Sequence, residues 1–229
     1  MSRDFSPAYA GTSLELTATG LACRRSGRLL FSGLGFSLRG GRALVVTGAN
    51  GAGKSSLLTI LRGRLKPAAG TVTLKGAGER TLSETINFVG HREGLKGMLT
   101  ARENLAFAEK MLGGEGQSPV AALEKLDVAH LVDLPVAYLS AGQRRRVALA
   151  RLFVAFRPIW LLDEPTSALD AASAALLTRL MREHLARGGM IVAATHQPLG
   201  LDGEDVLAIE PPAQTGSHPD SDEDDGEAW

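Results

Sequence analysis

Eight consecutive residues constrain this chain more than anything else in it: Gly48, Ala49, Asn50, Gly51, Ala52, Gly53, Lys54 and Ser55. They fit the pattern of glycine, four residues, glycine, lysine and serine or threonine, and lie between an apolar run at 43–47 and another at 56–61. That placement predicts a buried strand, a loop and a helix. Glycines let successive backbone N–H groups turn into one hollow, and the helix adds the positive end of its dipole, so the hollow suits phosphate. Lys54 is expected to reach the terminal phosphates as a mobile cation, the Ser55 hydroxyl to complete a magnesium shell, and Ser56 to lie beside it. A unit of this kind belongs in an open α/β sheet whose ligands bind at the carboxyl ends of the strands.

The 229 residues, 44% of them hydrophobic, suffice for one or two small domains. Basic and acidic residues balance at 25 each, but six of the acids fall in 218–229, leaving a formal +6 in residues 1–217. A mildly basic body is compatible with a nucleotide or an anionic surface and demands neither. Cys23 is the single cysteine, which excludes an internal disulfide and a cysteine metal cluster and suits a reducing compartment. The longest apolar stretch, 147–162, is interrupted by Arg151, Arg157 and Pro158, so a membrane role would require a partner.

Residues 1–12 read as a loose terminus, 13–210 as the folded body and 211–229 as a disordered acidic tail. Strands are expected at 14–21, 29–38, 43–47, 71–75 and 85–89, with a turn at Ser26 and Gly27 and a helix at 55–64 closed by Pro67 and Gly70. From about 94 to 157 the spacing turns helical, with helices at 100–112, 119–126 and 142–156. Thr100 and Glu103 offer a capping box for the first. Parallel-sheet texture returns with a strand at 159–163, a helix at 171–187 and strands at 190–195 and 206–209.

Several side chains then suit the phosphate loop. The strand at 159–163 ends in Asp163 and Glu164, and alternation along a strand gives the two acids opposite directions and separate tasks. Asp163 is expected to hold magnesium and Glu164 to polarise an attacking water. Such a pair is common at strand ends, and it gains meaning from the loop upstream. Ser140 is a natural N-cap ahead of Ala141, Gly142 and Gln143, where glycine lets a ligand approach the first amides. Arg144, Arg145 and Arg146 oppose the dipole of that helix; one or two could face a phosphate, and the rest read as a solvated face. His196 follows the strand at 190–195 at the same sheet edge, in reach of a γ-phosphate. His130 and His184 read as surface or packing residues, and His218 falls in the tail.

Taken in order, the glycine-rich loop, Leu139 to Gln143, the strand ending in Asp163 and Glu164, Ser167 to Asp170, and His196 resemble five motifs of the ABC-transporter ATPases. The resemblance spans roughly 13–210. It implies a P-loop fold with an antiparallel β subdomain and an inserted helical subdomain. It also implies ATP and Mg2+ as ligands and a head-to-tail homodimer in which Ser140, Gly142 and Gln143 of one copy close over ATP held by the other. Two positions depart from the family pattern: Arg25 stands where an aromatic usually stacks on adenine, and His91 where a glutamine is usual. A guanidinium can stack in the first place, and an imidazole can hydrogen-bond a water in the second. The segments 88–96, 99–105 and 139–151 are similar to the ATP-binding subunits of the cytochrome c biogenesis (haem exporter) system. That resemblance implies a CcmB-like integral membrane permease as partner and a peripheral place on the cytoplasmic face of a bacterial inner membrane, with no nucleic-acid partner.

Other readings stay open at this point: the ATPase subunit of another importer or exporter, or an ABC ATPase acting on nucleic acid or ribosomes. The second would suit a tandem ATPase domain or a long coiled-coil insert, neither of which this sequence contains. A GTPase would carry an Asn-Lys-x-Asp segment, and a non-hydrolysing adaptor would leave Glu164 and His196 idle.

Overall fold

The computed structural model describes residues 13–113 and 116–210; the expected loose terminus at 1–12 and acidic tail at 211–229 lie outside the described residues. In chain order the strands are β1 (Glu15–Arg25), β2 (Arg28–Arg39), β3 (Ala43–Thr47), β4 (Ala69–Lys75), β5 (Ile86–Val89), β6 (Ile159–Asp163), β7 (Met190–Ala194) and β8 (Asp205–Ala208). The α-helices are α1 (Lys54–Leu61), α2 (Ala101–Leu112), α3 (Pro119–Lys125), α4 (Ala141–Val154) and α5 (Ala171–Ala186).

β1 pairs antiparallel with β2 on one side and β4 on the other, giving a three-stranded sheet. Ser26 (φ 48°) and Gly27 (φ 79°) both take positive φ, the pattern of a type I′ hairpin turn whose twist matches its strands. β1 runs beyond the expected end at Leu21 as far as Arg25, with register shifts between Ala18 and Arg24 where its pairing with β2 is irregular.

The second sheet is parallel, in the order β5-β6-β7-β3-β8. Its inner strands are apolar throughout because both faces are covered. Val45, Trp160, Leu162, Ile191 and Ala193 pack with α2, α4 and α5 on one face. Val46, Leu161, Met190, Val192 and Ala194 pack with α1 and the antiparallel sheet on the other. β7, rather than β6, is the neighbour of β3, so the segment after β7 lies between the phosphate loop and the carboxylates at the end of β6.

Two boundaries differ from the sequence expectation for identifiable reasons. α1 stops at Leu61 because Gly63 (φ 71°) closes a Schellman motif, with Arg64 N–H donating to Thr59 O (3.0 Å) and Gly63 N–H to Ile60 O (2.9 Å); Pro67 and Gly70 lie downstream of the actual stop. β5 begins at Ile86, since Thr85 ends a short 3-10 turn in which its hydroxyl donates to Leu82 O (2.7 Å). The capping box at α2 forms as expected: Glu103 N–H donates to Thr100 Oγ1 (3.1 Å), and Thr100 N–H to the Glu103 carboxylate (2.8 Å).

Candidate active site

A cleft of about 690 Å³ opens at the carboxyl ends of β3 and β6. The phosphate loop and α1 form its floor through Asn50, Gly51, Gly53, Lys54, Ser55 and Ser56. Arg25, Ser26 and Leu30 from the hairpin line one wall, and His91, Asp163 and Glu164 another. Gly53 (φ 109°) precedes α1, where a Cβ would lie 2.9 Å from Phe31 Cδ1, so only glycine lets the loop pass this closely beneath the hairpin. No side chain caps α1, which leaves its first amides directed at the cleft.

Lys54 is 8% exposed, and its ammonium donates to Gly48 O (2.7 Å) and Ala49 O (3.2 Å) and lies 2.9 Å from His196 Nε2. Asn50 Oδ1 lies 3.0 Å from the same imidazole nitrogen. A neutral ring can accept from Lys54 at Nε2 or donate to Asn50 from it, and the two bonds require different tautomers. His196 therefore sits at a branch between the lysine and the loop. Its Nε2 is also 3.8 Å from Glu164 Oε1.

The structure corrects the reading of the two carboxylates. Alternation would send Asp163 and Glu164 to opposite faces, yet both line the same cleft. β6 ends at Asp163, and Glu164 takes φ 48°, a left-handed conformation uncommon for a residue with a side chain. The turn swings the second carboxylate round beside the first. Glu164 is held there by its N–H donating to Ala194 O (2.8 Å) and by Thr195 Oγ1 donating to its carboxylate (3.2 Å). Asp163 is 8% exposed and lines the cleft.

The residues expected from a second copy lie elsewhere. Ser140, Gly142 and Gln143 do not line this cleft. Ser140 caps α4 as expected, and Gln143 proves to be its reciprocal partner: Gln143 N–H donates to Ser140 Oγ (3.2 Å), and Ser140 N–H to Gln143 Oε1 (2.9 Å). The capping geometry commits the Gln143 side chain to its own helix, while the Ser140 hydroxyl proton and the first amides remain able to donate outward. Arg25 and His91 stand exposed at the cleft edge. Asp170 caps α5 by accepting from Ser173 N–H (2.7 Å), a bond that holds its carboxyl below the usual range.

The arginine triplet behaves differently from either expectation. Arg145 is 3% exposed, neither facing a phosphate nor solvated. Arg144 donates to Leu139 O (2.6 Å) and approaches Glu93 (3.5 Å), and Arg146 donates to Asp127 O (3.2 Å). Arg145 and the fully buried Thr195 were missed in the sequence. A signal for Arg145 existed, since Leu149 and Leu152 follow at helical spacing on the buried face of α4. His184 is a packing residue: it is buried and stacks on Trp160 at 3.9 Å between ring centres.

A family model for the ABC transporter matches residues 31–167. A cytochrome c biogenesis ATP-binding export protein CcmA of Rhodopseudomonas palustris (strain BisB5) is 53% identical over 192 residues, covering 83% of this chain and 96% of that one. One of Rhizobium meliloti (strain 1021) is 50% identical over 202 residues, covering 86% and 98%. Among solved structures, a putative ABC transporter ATP-binding protein from Pyrococcus furiosus matches with a TM-score of 0.73 at 21% identity, over 85% of this chain and 97% of that one. An ATP-binding cassette in a dimeric post-hydrolysis state, bound to ADP and Pi, matches with a TM-score of 0.74 at 22% identity, over 85% and 94%. At these identities the structural likeness establishes the fold.

Proposed function

The chain belongs to the ABC transporter family, within its cytochrome c biogenesis ATP-binding export proteins, and from that premise we propose how its cleft hydrolyses ATP and what the hydrolysis drives. One observation carries the reading: Lys54, Ser55, Asp163 and Glu164 line a single cleft, and His196 bonds to its floor. In this reading the loop amides from Gly48 to Ser56 cradle the triphosphate, and Lys54 exchanges the carbonyls of Gly48 and Ala49 for the β- and γ-phosphates. Glu164 takes the proton of the attacking water, and His196 donates to the γ-phosphate. Arg25 lies over the adenine, and His91 contacts a water at the far edge.

Ser55 and Asp163 are hard oxygen donors on one cleft, and the described residues form no cluster of three or more carboxylate, histidine or cysteine ligands. That donor set fits Mg2+, which takes few protein ligands and completes its shell with phosphate and water. Held by Ser55 and Asp163, Mg2+ would supply positive charge to offset that of the phosphates.

A second copy of the chain supplies Ser140, Gly142 and Gln143 over the phosphates. Ser140 and the amide of Gly142 donate, while Gln143 keeps the turn in shape through its cap. Each chain carries one copy of each element, so a two-fold dimer completes two sites. Dimer closure on ATP and reopening on hydrolysis then move a membrane partner, a CcmB-like permease, in haem handling for c-type cytochrome assembly at the cytoplasmic face of the inner membrane. No described helix is long and apolar enough to cross a bilayer. Met98 (89% exposed) and Tyr138 (81%), brought near each other by the bond from Ala137 N–H to Gly97 O (2.9 Å), offer that partner exposed apolar side chains.

The test is Glu164→Gln. The expected variant binds ATP, accumulates as an ATP-dependent dimer and loses turnover by at least about 100-fold. Hydrolysis at the parent rate would remove Glu164 from its role.

A further inference from the structure

Arg145 carries a positive charge into the interior, with no carboxylate among the described residues in ion-pair contact. Its donors go to four backbone carbonyls: Nη1 to Gly90 O (2.7 Å), Nη2 to Asp163 O (2.9 Å) and Glu164 O (2.7 Å), and Nε to Pro165 O (3.3 Å). Burial pulls the guanidinium below its usual range, while Glu93, Asp163 and Glu164 act nearby in the opposite sense. Burying a guanidinium is costly, and a side chain that only filled space on α4 would be apolar. The destination of the bonds supplies the reason.

In a regular strand consecutive carbonyls point in opposite directions. Here the carbonyls of Asp163 and Glu164 meet on one nitrogen, which is possible because Glu164 is left-handed at φ 48°. That backbone conformation is strained for a residue with a side chain and persists only where its surroundings over-determine it. The same turn brings the second carboxylate into the cleft beside the first. The Gly90 carbonyl belongs to the residue before His91, which follows β5, the strand beside β6, on the same wall of the cleft as Glu164. Arg145 itself sits in the first turns of α4, just beyond Ser140, Gly142 and Gln143.

We infer that Arg145 is a positioning residue for hydrolysis. Its planar fork fixes the turn that aims Glu164, ties that turn to the neighbouring segment before His91, and links both to the helix whose first residues would face a second copy. The inference rests on Glu164 being the base. Neither neighbour in the triplet does this, since Arg144 and Arg146 bond to Leu139 and Asp127. A lysine keeps the charge but presents a compact ammonium in place of the fork, and it cannot span the same set of carbonyls.

The experiment measures ATP affinity and turnover for the parent, Arg145→Lys, Glu164→Gln and the double variant. Arg145→Lys should bind ATP within about twofold of the parent, so that the loss falls on kcat. The expected loss is about 10- to 100-fold, the scale of a catalytic group displaced by an ångström. In the Glu164→Gln background the same change should lower the residual rate no further, because its effect passes through Glu164. Arg145→Gln, which keeps two donors, serves as the second variant if the lysine form loses nucleotide binding.

Parent-like kcat in Arg145→Lys overturns the inference. So does loss of ATP binding in both variants, which would make the residue a fold element, or an undiminished effect in the Glu164→Gln background. Glu164→Gln hydrolysing normally would instead overturn the reading of the base, a result separable from every outcome at Arg145.

Discussion

The two ends of the parallel sheet each hold a histidine, and the pair shows what position does to one side chain. At the carboxyl end His196 is half-exposed, within hydrogen-bond distance of Lys54 and Asn50 and 3.8 Å from Glu164. At the amino end His184 is buried, stacked on Trp160 with an interplanar angle of 11°, and donates from Nε2 to Pro158 O at 3.1 Å. Burial pushes the His184 imidazole down to about 4, so it stays neutral and acts as a flat aromatic plug. Carboxyl ends gather loops, glycine and a strained turn; amino ends are closed by packing. The contrast assigns chemistry to one edge and rigidity to the other.

The strongest challenge to that contrast is Lys54→Ala at the carboxyl end. It should lower turnover by about 100- to 1,000-fold, the scale of removing a donor that stabilises developing charge. Its melting temperature should stay near that of the parent, and a steady-state phosphate-release assay with a thermal melt reads both. A Lys54→Ala protein that hydrolyses ATP normally would erase the distinction between the ends.

A paired substitution sharpens it. His196→Ala should reduce kcat by about 100-fold with little change in stability. His184→Ala should leave turnover of the folded protein intact while costing about 3 kcal/mol through the cavity beside Trp160. For a chain of this size that is a melting point lower by about 6–12 °C. Reversed results would exchange the roles of the two histidines.

The smallest effect expected is a slope. The unfolded imidazole titrates near 6.5 and His184 in the fold near 4, so below 6.5 the unfolded chain takes up the proton first. The contribution of His184 to stability is full above pH 6.5, declines as pH falls and is gone below about 4, an overall change of about 3 kcal/mol. Urea midpoints measured across that window should fall less steeply for His184→Phe than for the parent. Equal slopes would mean that the ring is not held neutral.

Much of this architecture was legible because local rules and tertiary packing agree. The run at 43–47, the glycine loop and the apolar strand at 159–163 lie where their patterns place them. Thr100 with Glu103 and Ser140 at its cap follow from hydrogen bonds closed within four residues. What the sequence concealed depends on long-range partners. Glu164 breaks strand alternation through a backbone turn held by Arg145, nineteen residues away, and by Ala194, thirty away. Three consecutive arginines look alike on paper; the helical spacing of Arg145 with Leu149 and Leu152 marks it as the buried one, but its partners at Gly90 and at 163–165 are set by tertiary structure. β7 standing between β3 and β6 is a matter of strand order, which alternating helices and strands leave undetermined.

Gly189 lies against the ring of His184, and a Cβ there would fall 2.3 Å from Nε2. The order in which these two positions can change is therefore constrained. Alanine at 189 meets an obstacle as long as the imidazole stands, whereas shrinking residue 184 first opens the space. Lineages carrying this helix–strand corner should pass through a small side chain at 184 before gaining any at 189, so variation at the two positions should be directional and paired.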